Sequence, residues 1–120
     1  MRMATIRITD LLLRTIIGGN DWERNTKQDV IINVRLDFDA QKAIASDVMD
    51  DTVDYKKLKR RIIEEVEGSR FQLLEKLTAH VLSIVMADMR VLSAAVRIEK
   101  PSALRFAKTV SVEMSERREP

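Results

Sequence analysis

The sequence predicts an α+β domain, an antiparallel four-stranded sheet with two helices on one face. Two observations predict it. Four stretches alternate apolar and polar residues with the period of two expected of half-buried strands. Between the second and third of them, two stretches recur at helical spacing. The order ββααββ gathers the helices in mid-chain, which favours an antiparallel sheet over alternating parallel units.

In the first strand, residues 5–13, Ile6 and Ile8 alternate with Arg7 and Thr9 before the pattern thickens at Leu11, Leu12 and Leu13. The second, residues 30–38, places Val30, Ile32, Val34, Leu36 and Phe38 in one row and Asn33, Arg35 and Asp37 on the other face. Tyr55, Leu58, Ile62, Ile63 and Val66 then mark an amphipathic helix, with Asp50, Asp51 and Thr52 as N-cap candidates and Gly68 as its stop. A second helix is expected over residues 72–89, its broad apolar face made of Leu74, Leu77, Val81, Leu82, Ile84 and Val85. The third strand, residues 94–100, sets Ala94, Val96, Ile98 and Lys100 on one face. The fourth sets Val110, Val112 and Met114 against Thr109, Ser111 and Glu113. Only Gly18-Gly19-Asn20 and the 39–51 stretch read as substantial loops. No repeat, low-complexity segment or linker interrupts the chain, so residues 1–120 read as one domain.

At 120 residues the chain can bury a real core, yet an enclosed ligand site at this size calls for a second subunit. Lys and Arg number 21 against 19 Asp and Glu, a net charge of +2 spread along the chain. That balance argues against a nucleic-acid partner. With no cysteine, disulfides, thiolate metal sites and a cysteine nucleophile are excluded. His80 is the only histidine, which rules out a histidine-rich metal site. Neither a membrane-spanning run nor a secretory leader is found, so the expected location is cytoplasmic, with no membrane partner.

Lys100 follows a core-facing row and precedes Pro101, whereas surface charges belong with Arg97 and Glu99 on the other face. Either the strand ends there and the long side chain reaches water, or a half-buried amine is held where it can give and take protons. Glu75, in Leu73-Leu74-Glu75, is either a solvated first-turn acid or a carboxylate placed to accept two parallel hydrogen bonds from a guanine-like or pterin ring. Tyr55 is the only tyrosine and stands where a loop enters the first helix; it packs its ring on the sheet or offers its hydroxyl as a proton relay. Glu23 lies beside Trp22 in the first loop, solvated or lining a site. Gln28 reads as the polar start of the second strand.

Spacing removes several alternatives. Gly18-Gly19 lacks the lysine and hydroxyl of a phosphate-binding loop. His80 falls within a helix and has no nucleophile-elbow serine to serve. The run Lys56, Lys57, Lys59, Arg60, Arg61 is spread around a helix and followed by Glu64, Glu65 and Glu67, a solvated face.

Taken together, these stretches resemble the dihydroneopterin aldolase and dihydroneopterin triphosphate 2′-epimerase family over nearly the whole chain. Asp21-Trp22-Glu23 with Gln28 looks like its first active-site loop, and Asp51-Thr52-Val53-Asp54-Tyr55 like its DTVxY segment. Leu73-Leu74-Glu75 resembles the pterin-anchoring LLE, and Val96-Arg97-Ile98-Glu99-Lys100-Pro101 the strand that ends in the catalytic lysine. The resemblance implies a tunnelling fold, in which sheets join in a ring to form a barrel and two rings stack into a homo-octamer with sites between subunits. It further implies that Glu75 holds the pterin edge, helped by main-chain groups around Val53 and Leu74, with Thr52 and Leu73 alongside. Lys100 would be the general acid/base, with Tyr55 and Glu23 in proton transfer and side-chain binding. The implied chemistry is retro-aldol cleavage with the ring taking up the electrons, needing neither metal nor cofactor.

Asp21-Trp22-Glu23 resembles some aldolases of folate biosynthesis. Ala103-Leu104-Arg105-Phe106-Ala107 followed by Val110-Ser111-Val112 looks more like the epimerase, and no Pro-Gly-His segment follows the lysine. The expectation is therefore the epimerase, with the aldolase and a non-catalytic pterin- or purine-binding ring protein as alternatives. A triphosphate substrate requires cations at the pocket mouth. Arg105 and Lys108 are candidates, Arg105 being otherwise an ordinary surface arginine.

Overall fold

The computed structural model describes residues 1–119, with one antiparallel sheet of strand order β1-β2-β3-β4. β1 spans Met3–Ile16, β2 Lys27–Asp39, β3 Val91–Pro101 and β4 Thr109–Arg117. Every strand runs past its alternating apolar segment because backbone pairing continues where the core no longer needs side chains. β1 and β2, for instance, pair from Met3 and Asp39 to Ile16 and Lys27.

The thickening at Leu11 to Leu13 has a specific cause. The register shifts between Ile8 and Leu11, where Asp10 takes a left-handed φ of 55°. Its backbone N–H donates to Asn33 Oδ1 at 3.0 Å. This bulge moves the inward phase from Ile6 and Ile8 to Leu13 and Thr15. Thr15 is fully buried and donates its hydroxyl to Val66 O at 2.6 Å, tying the end of β1 to the helical layer.

Two helices cover one sheet face: α2, Tyr55–Glu67, packs on β1, and α3, Leu74–Met86, packs on β3 and β4. Between sheet and helices, Val30, Ile32, Leu36, Val96 and Ile98 meet Ile62, Val66, Leu77, Val81 and Val85, all buried. The opposite sheet face is polar, with Arg7 directly across from Arg35 and Arg97 across from Glu113.

Three expectations need correction. The 39–51 stretch contains a short helix, α1, Gln41–Ser46, and a 3-10 turn at Met49–Asp51. No side chain of α1 is fully buried, so it leaves no apolar period to read. The N-cap of α2 is Asp54 rather than Asp50, Asp51 or Thr52: its carboxylate accepts from the backbone N–H groups of Lys56 and Lys57 at 3.1 and 3.0 Å. α3 is also shorter than residues 72–89, its C-terminal turn closing at Ala87. No helix among the described residues is long and apolar enough to cross a membrane.

Candidate active site

Ala94, Val96 and Ile98 are fully buried, and Lys100 continues their face to the end of the sheet. There its Nζ donates to Glu23 Oε2 at 2.8 Å, with the two side chains 13% and 7% exposed. Glu23 sits in a 3-10 turn, Asp21–Asn25, that folds back over the strand ends. Its Oε2 also accepts from Gln28 Nε2 at 3.1 Å, and its Oε1 from the backbone N–H of Asn20 at 3.1 Å. The Lys100 hydrogen bond, with those of Gln28 and Asn20, outweighs burial and lowers the Glu23 carboxyl from 4.5 to about 2. Glu23 is thus a carboxylate at neutral pH that accepts a hydrogen bond from Lys100. Gln28, which the resemblance groups with the Glu23 loop, orients this pair and also donates to Ile17 O at 2.7 Å.

Gly18 makes room for the carboxylate. Its φ is +118°, and a Cβ there would lie 2.2 Å from Glu23 Cδ and Oε2. The turn is joined to the chain between α2 and α3: the backbone N–H of Gly18 donates to Phe71 O at 3.2 Å. Arg24 adds bonds to the same segment. Sequence reasoning missed Arg24; the glycine after the buried Ile17 was the one available signal of a tight approach.

That segment leads directly into Leu73, Leu74 and Glu75. Leu74 is buried, Leu73 is 60% exposed, and Glu75 is exposed in the first turn of α3, where the helix dipole favours a carboxylate. Glu23, Lys100 and Glu75 therefore share one end of the molecule.

Thr52, Val53 and Tyr55 do not join them. α2 and α3 form an antiparallel hairpin, as the 2.8 Å contact of Glu65 with His80 shows. The start of α2 consequently lies beside the end of α3, where Arg90 donates to Thr52 O. The thirteen residues of α2 span about 20 Å, so Tyr55 stands about that far from the Glu75 end. Tyr55 is half exposed. Val53 is buried, 2% exposed. A cleft of about 490 Å³ opens at this end, lined by Thr52, Val53, Asp54, Lys57, Asp88 and Arg90 among others. Arg105 lies in the exposed β3–β4 turn, its guanidinium 5.2 Å from the centroid of the Phe106 ring. The residues singled out from the sequence thus fall into two groups, one at each end of the helical layer.

The sequence profile of the family described as dihydroneopterin aldolase matches residues 6–115. The chain belongs to this family. It is 45% identical over 112 residues to the dihydroneopterin triphosphate 2′-epimerase of Escherichia coli (strain K12), covering 93% of each chain. To the dihydroneopterin aldolase of the same strain it is 29% identical over 110 residues, covering 92% of this chain and 90% of that one. The crystal structure of the E. coli aldolase in complex with neopterin superimposes with a TM-score of 0.88 at 27% identity, covering 94% of this chain and 98% of the other. The subunit fold is therefore the family's tunnelling fold, as the motifs imply.

Proposed function

We propose that this chain, acting as one domain, is a dihydroneopterin triphosphate 2′-epimerase that interconverts 7,8-dihydroneopterin triphosphate and 7,8-dihydromonapterin triphosphate. The observation that carries the choice is the higher identity to the epimerase than to the aldolase over the same length of chain. The Glu23–Lys100 pair supports an acid–base reaction at the end of β3.

In this reading, Glu75 accepts the ring N–H and amino hydrogens of the pterin, and the backbone at Leu73 and Leu74 borders the ring. Thr52, Val53 and Tyr55 come from a second copy, because they stand at the far end of their own chain. Ring assembly, with a homo-octamer as the proposed state, brings the two half-sites together.

The proton on the C2′ hydroxyl leaves through Tyr55 of the second copy to solvent, and the C1′–C2′ bond breaks as the C2′ oxygen becomes a carbonyl. The electron pair moves into the ring, whose N5 takes a proton from Lys100. Re-addition to the other face of the aldehyde reverses these transfers and inverts C2′. Glu23, with its carboxyl at about 2, is too weak a base to take the hydroxyl proton at neutral pH. Its part is to hold Lys100 in place. Arg105 and Lys108, in the turn after Lys100, are the proposed partners of the triphosphate.

Rates measured on 7,8-dihydroneopterin triphosphate and on unphosphorylated dihydroneopterin test this reading. Preferred turnover of the triphosphate supports it. Neopterin binding without turnover of either compound would leave a non-catalytic binding protein instead.

A further inference from the structure

We propose that Arg24 is a positioning residue that locks the Glu23–Lys100 pair to the chain segment carrying Glu75, and so sets the distance between proton transfer and ring anchoring. This rests on the pterin reading of the site. Arg24 immediately follows Glu23, yet its half-buried side chain points away from the carboxylate, into three backbone carbonyls. Nη1 donates to Gly18 O at 2.8 Å and to Phe71 O at 3.3 Å, and Nη2 donates to Arg70 O at 2.6 Å. Arg70 returns the contact, its Nη2 donating to Arg24 O at 2.6 Å.

The 3-10 turn bearing Glu23 and the link from α2 to α3 are both irregular, so neither is held by a sheet ladder or helix along this contact. Apart from the Gly18 to Phe71 bond, the two arginines supply the bonds that join them. A planar guanidinium bonds carbonyls on both loops at once, whereas a lysine ammonium is a single point and cannot span them. Gly18 O, the third acceptor, belongs to the residue whose missing Cβ leaves space for the Glu23 carboxylate. One side chain therefore fixes the floor under Glu23 and the entry to Leu73-Leu74-Glu75. Reaction geometry tolerates little slack: a displacement of about 1 Å costs about 100-fold in rate.

The test compares wild type with Arg24→Lys, Arg24→Ala and Arg70→Lys for kcat and KM on the triphosphate, neopterin affinity by calorimetry, and thermal unfolding. Arg24→Lys is expected to fold and to lose about 10- to 100-fold in kcat, with weaker neopterin binding. Arg70→Lys is expected to show a smaller loss, and millimolar guanidinium to restore part of the activity of Arg24→Ala. Folded Arg24 variants with wild-type kcat and neopterin affinity would overturn the inference, as would losses that only track the unfolded fraction without guanidinium rescue. Wild type is assayed first. If it turns over neither pterin, the enzymatic reading fails, and neopterin affinity alone decides the role of Arg24.

Discussion

Lys100 and Glu23 stand 77 residues apart in the chain and meet at 2.8 Å, Nζ to Oε2, with both side chains nearly enclosed. A buried ion pair that loses one member leaves the other charge without a partner, which costs about 3–5 kcal/mol. Lys100→Ala should therefore abolish turnover and destabilise the fold by about that amount. The double variant Glu23→Gln with Lys100→Met should recover most of the stability and none of the activity. Urea unfolding beside a turnover assay checks both halves.

The same pair sets a pH dependence. The Glu23 carboxyl is held at about 2 when folded, below its ordinary 4.5. The folded state therefore binds the proton less readily than the unfolded chain. Its stabilising contribution is complete above about pH 4.5 and is lost as pH falls towards 2. Unfolding free energies of wild type and Glu23→Gln measured from pH 7 down to pH 2 should converge across that window. A constant gap between the two would contradict the assignment.

Gly18 and Gly19 provide an internal comparison. A Cβ at Gly18 meets the Glu23 carboxylate at 2.2 Å and requires a φ of +118°, while one at Gly19 comes no nearer than 3.9 Å, to Gln72 Oε1. Gly18→Ala should cost about 1–3 kcal/mol from backbone strain alone and should displace Glu23 from Lys100. Gly19→Ala should behave as wild type. Thermal unfolding with neopterin calorimetry separates the two variants.

Much of this site is legible in the sequence, and the remainder is hidden for physical reasons. Lys100 shows itself because a strand has a period of two and the row Ala94, Val96, Ile98 fixes its phase. Its partner does not, since nothing local connects residues 23 and 100. The bulge at Asp10 resets the phase of β1, so Leu11 to Leu13 look like a thickened apolar run instead of a strand changing faces. Asp54 caps α2 through the backbone N–H groups of Lys56 and Lys57, and with Asp50, Asp51 and Thr52 offering the same chemistry just before it, only geometry selects it. Arg24 hides best: its bonds go to backbone carbonyls, which every sequence has.

The placement of Tyr55 at one end of the helical layer and Glu75 at the other predicts complementation between copies. Tyr55→Phe and Glu75→Ala should each be inactive as pure oligomers. Mixed, unfolded and refolded together, they should regain a fraction of wild-type activity, because some sites then receive an intact half from each. Mixtures as inactive as their parents would show that one copy supplies both residues.

Product identity distinguishes epimerisation from cleavage. The protein is incubated with 7,8-dihydroneopterin triphosphate, and the pterins are dephosphorylated, oxidised and separated by chromatography that resolves the C2′ epimers. The epimerase reading predicts monapterin accumulating to an equilibrium with neopterin, with little glycolaldehyde released. Glycolaldehyde and 6-hydroxymethyl-7,8-dihydropterin as the main products would contradict it.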